Sequence, residues 1–478
     1  MQERTALAHT LRRIVGHRYV LDEPESLLVY EYDGSVDRSL PGLVVLPGSA
    51  QETAEVVRAV RQAGWTLVPR GAGTGLSGGA VPLYQGVVLS LTRLNRILEI
   101  DPDNMLAVVE PGVANLDISK AALPYGLYYA PDPSSQKACT IGGNVAENAG
   151  GPHCLAYGVT TNHVLGLEVV LADGSLVWFG GKRREEFGYD LRGIVIGSEG
   201  TLAVVTKVVV RLLPIPEAVK TLLAVFREID QASAAVSAII ASGMVPAALE
   251  MLDRLTIEAV EPAVHAGYPK EAGAVLLVEV DGLREAVAVQ GAEVEAICRE
   301  MGAVEVRSAE RLEERERLWA GRKGALGALG RLAPNYLLLD GVVPRTRIVE
   351  ALQRIRAISE YYRLPIANVF HAGDGNLHPC ILFDERDHDQ LRRAKEAGGA
   401  ILKMCVELGG ALSGEHGVGI EKQEYMPLYF KAEDMAAMAK LHPAFGAENF
   451  LNRGKVFPQG NLLGGFRPTT RLPADAVI

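Results

Sequence analysis

Hydrophobic and polar positions along the first part of the chain change from a period of two to a helical period and back. Short apolar runs at 43–47 and 66–70 predict strands, and the helical spacing of apolar residues at 49–64 predicts a helix between them. Ser49 and Glu52 have the spacing of a capping box at the start of that helix. The order strand, helix, strand predicts a βαβ unit.

The remainder of the first half is richer in strands than in helices. Pro214 and Pro216 interrupt this pattern, and we expect a domain boundary near residue 215. The predicted elements after Gly79 are strands at 87–91 and 105–110, a helix near 115–125, a glycine-dense stretch at 141–151, and strands at 165–171 and 202–212.

Helical and strand patterns alternate in the second half of the chain. This alternation predicts helices packed on a mainly antiparallel sheet, so the expected fold class is α+β. The predicted domains are 1–215, 216–420 and a C-terminal segment at 421–478. The predicted helices are 231–242, 284–301, 311–329, 347–362 and 396–408, and the predicted strands are 274–280, 336–343, 367–370 and 379–383.

Composition narrows the class of protein. Apolar residues make up 48% and charged residues 22% of the 478 positions, which is typical of a globular protein. The net charge of −10, without a basic block, argues against nucleic acid as a partner. Apolar runs fall well short of the roughly 20 residues that span a bilayer. Residues 1–16 lack the pattern of a signal peptide, so we expect a cytoplasmic protein without a transmembrane segment.

The five cysteines form no CxxC pair and no closely spaced even set. Their distribution argues against a disulfide framework and against an iron–sulfur or zinc cluster held by cysteines. They are Cys139, Cys154, Cys298, Cys380 and Cys405.

A glycine-rich loop follows the second predicted strand. Gly73-Thr-Gly-Leu-Ser-Gly78 satisfies the GxGxxG pattern of a nicotinamide dinucleotide site. That site requires a helix that begins at the loop, whereas Gly79-Ala-Val-Pro82 leads into another strand. A plain turn is the alternative, but five glycines within 71–79 exceed what one turn needs and let backbone N–H groups converge on an anion. The loop therefore predicts phosphate binding.

The segment Pro69-Arg-Gly-Ala-Gly-Thr-Gly-Leu-Ser-Gly-Gly-Ala80 resembles the pyrophosphate loop of vanillyl-alcohol-oxidase-type FAD proteins. Segments 131–135, 141–151, 197–202 and 452–457 are similar to segments of the D-lactate and glycolate branch of that family. The resemblance implies a two-subdomain FAD-binding domain and an antiparallel-sheet cap domain covered by helices. The implied cofactor-binding residues are Arg70, Gly71, Ala72, Gly73, Thr74, Gly75, Leu76, Ser77, Pro131, Ser134, Gly142, Gly143, Asn144, Asn148, Gly150, Gly151, Glu199, Gly200 and Asn452.

Cys139 and Cys154 lie near the second glycine segment and are candidates for a covalent flavin link. The resembled branch holds its FAD without a covalent bond, which favours a packing role for both thiols. We therefore expect non-covalent FAD.

Two histidines bracket a turn in His371-Ala-Gly-Asp-Gly-Asn-Leu-His378. Side chains that face each other across a hairpin are close enough for two imidazoles to reach one divalent cation. Glu415 is the candidate third ligand, and His416 next to it points the other way if the chain is extended there. An ordinary hairpin without a metal is the alternative.

The resemblance to FAD-dependent D-2-hydroxy-acid dehydrogenases favours the metal. It implies His371, His378 and Glu415 as ligands of one divalent ion, Zn or Mn, and His416 as the general base. Arg322 corresponds to the arginine that binds the substrate carboxylate, whereas the sequence alone favours a solvated helix charge. Asp374 and Asn376 are interpreted as turn formers or as partners of the ligands, rather than as ligands themselves.

The implied reaction is oxidation of a small 2-hydroxy acid to the 2-keto acid. His416 removes the hydroxyl proton, Arg322 holds the carboxylate, and the hydride passes to FAD. Resemblance to the FAD-binding subunits of bacterial glycolate oxidases favours glycolate as substrate, with D-lactate as the alternative. It also implies flavin-type and iron–sulfur partner subunits, and peripheral association with the inner face of the cell membrane through them. A non-catalytic FAD-binding accessory subunit is the competing interpretation.

Overall fold

The computed structural model describes residues 2–183 and 188–458. The described chain forms two compact units. The first contains residues 2–150, Gly158–Ile215 apart from 184–187, and 415–458, and the second contains Gly151–Tyr157 and Pro216–Gly414. The functional assignment of domains 1–215, 216–420 and 421–478 stays a prediction, and residues 459–478 of the last one lie outside the described residues.

The first unit contains the predicted βαβ arrangement. Leu43–Val45 and Leu67–Arg70 both pair in parallel with Val87–Ser90, which lies between them in the sheet, and Val20–Leu21 adds an antiparallel edge. The connecting helix Ala50–Gln62 begins after Ser49, whose hydroxyl accepts a hydrogen bond from the Glu52 N–H. The predicted cap is therefore confirmed.

A second, antiparallel sheet completes the first unit. Its strands lie in the order Ile97–Asp101, Leu106–Val109, Val204–Arg211, Val164–Val170 and Leu176–Gly180. A short ladder pairs Leu127–Tyr128 with Leu213–Pro214. The other α-helices of this unit are Gln2–Val15, Pro24–Leu27, Asn115–Ala122, Ile141–Glu147, Leu191–Val195, Met426–Tyr429, Ala432–Ala439 and Leu441–Ala444.

Two of the elements in this unit differ from their predictions. The helix predicted at 115–125 ends as an α-helix at Ala122 and continues as a 3₁₀ turn at Leu123–Tyr125, because Pro124 cannot donate the next hydrogen bond. The glycine-dense stretch contains the helix Ile141–Glu147, whose first turn is capped by Thr140. Packing of buried Ile141 and Val145 outweighs the low helix propensity of the glycines.

An antiparallel sheet forms the second unit, as predicted. Its main path runs Glu305–Ser308, Ala218–Phe226, Ala274–Gly282, Ala248–Asp253, Ile366–His371, Asn376–Leu377 and Gly341–Val342. Pro379–Phe383 pairs with both Ile366–His371 and Asn335–Leu338. The helices of this unit are Cys154–Tyr157, Ile229–Ala241, Arg254–Val264, Arg284–Glu300, Leu312–Leu329, Ile348–Tyr362 and His388–Glu407.

Within the described residues, no helix combines the length and the hydrophobicity required to cross a bilayer.

Candidate active site

The glycine loop of the first unit begins where the strand Leu67–Arg70 ends. Gly73 and Gly78 have φ values of +73° and +80°, a region that side chains with a Cβ rarely adopt. A Cβ on Gly73 would also lie 2.1 Å from the guanidinium of Arg70. Glycine at position 73 is therefore required by both the backbone and the neighbouring side chain.

A segment that sequence reasoning missed holds this loop in place. The Asp33 carboxylate accepts a hydrogen bond from the Ala80 N–H at 3.2 Å, and the Gly34 N–H donates to the Gly75 carbonyl at 2.7 Å. Arg70 donates to the Tyr32 carbonyl at 2.8 Å. The signal in the sequence was the Asp-Gly pair at 33–34, which marks a turn with a side chain able to accept N–H groups.

The second glycine segment is ordered around Asn144. Its side-chain oxygen accepts a hydrogen bond from Asn115 at 3.0 Å, and Asn115 also donates to the Pro131 carbonyl at 3.0 Å. The Asn144 amide donates to the buried Cys139 sulfur at 3.4 Å. These contacts bring two predicted cofactor residues, Pro131 and Asn144, to one buried position.

Asn148 ends this helix in the left-handed conformation, at φ +53°. Its side chain accepts a hydrogen bond from the Thr161 N–H at 2.9 Å.

Glu199 and Asn452 use polar side-chain atoms to hold the protein backbone. The buried Glu199 carboxylate accepts hydrogen bonds from the N–H groups of Val418 at 2.6 Å and Gly419 at 2.7 Å. Asn452 donates to the carbonyls of Gly79 at 2.9 Å and Glu199 at 2.7 Å. Glu199 therefore orders the segment at 418–419, and Asn452 orders the end of the glycine loop at Gly79. The contact of both residues with FAD stays a prediction.

The other predicted cofactor residues fall on the same segments of the first unit, with one exception. Gly151 belongs to the short segment Gly151–Tyr157 of the second unit. The remaining residues are Gly71, Ala72, Thr74, Gly75, Leu76, Ser77, Ser134, Gly142, Gly143, Gly150 and Gly200.

The two histidines of the predicted metal motif, His371 and His378, lie side by side, but they do not face each other directly. His371 pairs with Asn376 across the turn, so His378 is its diagonal neighbour rather than the residue opposite to it. The direct opposition that we predicted is therefore wrong, because the loop between the strands takes only residues 372–375. Diagonal side chains on one face still meet, and the two rings lie 5.1 Å apart between centroids.

Glu250 connects His371 with Arg322. Its carboxylate lies 2.7 Å from Nδ1 of His371 and 2.6 Å from Nε of Arg322, and all three side chains are buried. Burial alone would raise the pKa of Glu250, but the charge of Arg322 and the contacts with His371 outweigh it and hold this pKa below its ordinary value. Arg322 is therefore paired with a buried carboxylate and is not the solvated helix charge that the sequence alone favoured.

A second buried carboxylate lies beside His378. Asp340 Oδ1 is 3.5 Å from Nε2 of His378, and Oδ2 accepts hydrogen bonds from the Ser413 hydroxyl at 2.5 Å and the Gly414 N–H at 3.0 Å. The chain leaves the second unit at Gly414, and Glu415 and His416 follow as the first residues of the last segment of the first unit. The roles of Glu415 and His416 stay predictions.

Sequence reasoning missed both Glu250 and Asp340. Each is a single carboxylate in an apolar stretch, Ala248-Leu-Glu-Met-Leu252 and Leu337-Leu-Leu-Asp340. A buried charge must be paired, so an isolated carboxylate in an apolar strand was the available signal. Asp374 has the predicted turn-forming contact, since it accepts a hydrogen bond from the Asn376 N–H at 3.1 Å.

Solved structures of similar architecture show the fold of the chain. The chain matches p-cresol methylhydroxylase with a TM-score of 0.82 at 17% identity, over 95% of this chain and 97% of that chain. It matches 4-ethylphenol oxidase from Gulosibacter chungangensis with a TM-score of 0.81 at 18% identity, over 96% and 98%. The fold is therefore that of the vanillyl-alcohol-oxidase-type flavoproteins, as predicted.

Sequence comparison identifies the family within that class. Residues 41–180 match the family described as "FAD binding domain", and residues 215–456 match "FAD linked oxidases, C-terminal domain". The chain belongs to the FAD-linked oxidase family and is an FAD-dependent oxidoreductase.

Several relatives cover most of the chain. It is 46% identical over 457 residues to "Glycolate oxidase subunit GlcD" of Escherichia coli strain K12. The aligned residues cover 95% of this chain and 92% of the relative. It is 44% identical over 449 residues to the protein of the same name from Bacillus subtilis strain 168, over 94% and 96%. It is 34% identical over 419 residues to "D-lactate dehydrogenase" of Archaeoglobus fulgidus, over 87% and 91%.

The first unit fits FAD in two respects. The Ser77 hydroxyl is buried in the glycine loop and has no hydrogen-bond partner among the described residues. In the part of the chain that the structure describes, a Cβ built on Gly75 would meet a single atom within 4 Å, an oxygen of Glu147 at 3.9 Å, so the backbone there leaves space for a ligand. A pyrophosphate oxygen is an acceptor suited to that hydroxyl and to the N–H groups of the loop.

Proposed function

We propose that this enzyme oxidises a small 2-hydroxy acid to the 2-keto acid and that glycolate is its preferred substrate. The observation that carries the proposal is the buried cluster of His371, His378 and Arg322 with the carboxylates of Glu250 and Asp340, in a chain that belongs to the FAD-linked oxidases. The similarity to glycolate oxidase subunits supports glycolate, and the similarity to D-lactate dehydrogenase supports D-lactate as the alternative. FAD, when bound, supplies the two-electron acceptor.

His371, His378 and Glu415 would hold one divalent cation, Zn or Mn. Glu250 supports this role because a carboxylate on Nδ1 favours the tautomer in which Nε2 carries the lone pair for a metal. Asp340 supports it by fixing Ser413 and Gly414, the two residues before Glu415. Such a cation lowers the pKa of a coordinated hydroxyl group.

His416 would act as the general base for the substrate hydroxyl, and Arg322 would bind the substrate carboxylate. The planar guanidinium suits a carboxylate, because Nη1 and Nη2 carry donors in addition to the Nε that engages Glu250. A single methyl group distinguishes D-lactate from glycolate, and in a pocket this difference is worth only about 1–3 kcal/mol. We therefore expect measurable activity with both acids.

Electrons would leave the reduced flavin through partner subunits of the flavin and iron–sulfur type. The support is the word "subunit" in the names of the relatives that are 44% and 46% identical. In this proposal the enzyme is cytoplasmic and reaches the inner face of the cell membrane through those partners. A non-catalytic accessory subunit is disfavoured, because His371, His378, Glu415 and His416 are all present.

Anaerobic reduction of the flavin tests the proposed substrate class. Glycolate, D-lactate, L-lactate and D-2-hydroxyglutarate are added separately to the FAD-loaded protein, and the oxidised-flavin absorbance is followed with time. We expect glycolate to bleach the flavin fastest, D-lactate to follow, and the other two acids to react at least tenfold more slowly. Absence of bleaching with every acid would contradict the proposal and favour the accessory subunit.

A further inference from the structure

Glu250 occupies the centre of the strand Ala248–Asp253, between two other strands. It pairs with His371 on one side and with Leu277 on the other, and its side chain is inaccessible to solvent. A carboxylate at such a position is costly unless every oxygen is engaged. Its partners therefore account for its presence in an otherwise apolar strand.

The two oxygens of Glu250 fix side chains from two different elements. Oε1 lies 2.7 Å from Nδ1 of His371 on the neighbouring strand, and Oε2 lies 2.6 Å from Nε of Arg322 on the helix Leu312–Leu329. Oε1 of Glu250 at 2.7 Å is a closer partner of Nδ1 than Nη2 of Arg322 at 3.4 Å. Nδ1 of His371 therefore donates its hydrogen to the carboxylate, and Nε2 is left as the acceptor nitrogen of the ring. The same carboxylate thus sets the tautomer of His371 and the position of Arg322.

A second buried glutamate with a histidine and an arginine as partners lies on the same sheet. Glu279 is buried on the adjacent strand, lies 3.1 Å from Nε2 of His153, and accepts two hydrogen bonds from Arg315 of the same helix. It also accepts one from Trp319 at 2.7 Å. This cluster contains no residue proposed as a metal ligand, and it therefore provides an internal control for any effect of removing a buried Glu–Arg pair.

We infer that Glu250 is a positioning residue that presents Nε2 of His371 to the divalent cation while it anchors Arg322. The inference rests on the proposed function, because it requires a cation at His371. Glu250 itself does not touch the substrate in this account. A carboxylate behind a metal-binding histidine typically contributes about 10–100-fold to metal affinity.

Paired substitutions test this role without leaving a buried charge unpaired. The variant E250L/R322M removes the carboxylate and its arginine, and E279L/R315M removes the equivalent pair of the control cluster. The dissociation constant for Zn²⁺ is measured on the FAD-loaded proteins by competition with a chromophoric chelator. FAD content and thermal midpoint are recorded for each protein.

We expect E250L/R322M to bind Zn²⁺ about 10–100-fold more weakly than the wild type, with unchanged FAD content. Removal of the positive charge of Arg322 would by itself strengthen the binding of a cation. A weaker affinity for Zn²⁺ is therefore attributable to the loss of the Glu250 carboxylate. E279L/R315M should retain the wild-type affinity whatever its thermal midpoint. E250Q/R322M, which keeps an acceptor for His371, should recover part of the affinity.

Wild-type affinity in E250L/R322M, or equal weakening in E279L/R315M, would overturn the inference about Glu250. Absence of Zn²⁺ binding by the wild type would overturn the proposed metal site as well. The two failures are therefore distinguishable from the wild-type titration.

Discussion

The Asp340 carboxylate accepts a hydrogen bond from the Ser413 hydroxyl at 2.5 Å, and the same oxygen accepts one from the Gly414 N–H at 3.0 Å. Asp340 thereby fixes the backbone immediately before the proposed ligand Glu415. We expect Asp340→Asn to lower kcat for glycolate by about 10–100-fold, because the amide cannot replace the charge beside His378. Steady-state kinetics and metal content check this prediction. Ser413→Ala, which removes one hydrogen bond, should have a smaller effect, and wild-type kcat in the Asp340 variant would contradict the role.

Gly73 provides a test of the phosphate-binding loop. A Cβ at position 73 is strained by the positive φ and would displace Arg70 from the Tyr32 carbonyl. We therefore expect Gly73→Ala to lose most of its FAD, measured as flavin absorbance per chain. Gly64→Ala is the matched control, because Gly64 has φ +72° but no atom of the described chain lies within 4 Å of the added Cβ. Its backbone strain of about 1–2 kcal/mol should leave the FAD content unchanged.

Glu147 gives the first unit a predicted pH dependence of stability. Its Oε2 atom is buried and has no hydrogen-bond partner within residues 2–183 and 188–458, and burial together with the nearby charge of Glu199 raises its pKa well above 4.5. A carboxyl group whose pKa is raised on folding costs no stability below the unfolded pKa and an increasing amount above it. Between the unfolded pKa and the folded pKa, this cost grows by about 1.4 kcal/mol for each pH unit.

We therefore expect Glu147→Gln to be more stable than the wild type at pH 8 and nearly equal to it at pH 4.5. The thermal midpoints of the two FAD-loaded proteins across this range measure the difference. A difference that stays constant with pH, or that favours the wild type at pH 8, would show that Glu147 is ionised at neutral pH at little cost.

Two alanine substitutions separate the roles proposed for the histidines. His416→Ala should retain FAD and metal but lose turnover by about 10²–10⁴-fold, as expected for a general base. His371→Ala should lose the metal as well, because it removes a ligand. Flavin absorbance, metal analysis and kcat are compared for both variants. Normal turnover and equal metal content in both would contradict these assignments.

The helix with a clear apolar period was predictable from the sequence, whereas two strands of the second unit that are buried along much of their length were missed. The helix Ala50–Gln62 and its Ser49 cap agree with the pattern of the sequence. The strands Ala218–Phe226 and Ala248–Asp253 were missed, because their apolar runs do not alternate. A short continuous apolar run cannot be distinguished by its period from a segment of a buried helix.

The residues of the candidate site were likewise predicted only in part. The spacing of His371 and His378 indicated that their side chains meet, but the register depended on the number of residues in the turn, which the motif alone does not fix. Glu250 lies more than 100 residues from His371 in the chain, and only strand pairing brings the two together. Long-range pairings of this kind required the structure.

The most direct test of the metal-assisted oxidation is anaerobic flavin reduction by glycolate before and after removal of metal. The FAD-loaded wild type is dialysed against a chelator, mixed with glycolate, and then given Zn²⁺ or Mn²⁺ while the oxidised-flavin absorbance is recorded. We predict bleaching in the untreated protein, almost none after chelation, and recovery with one of the two metals. Bleaching at the same rate after verified metal removal would contradict the account.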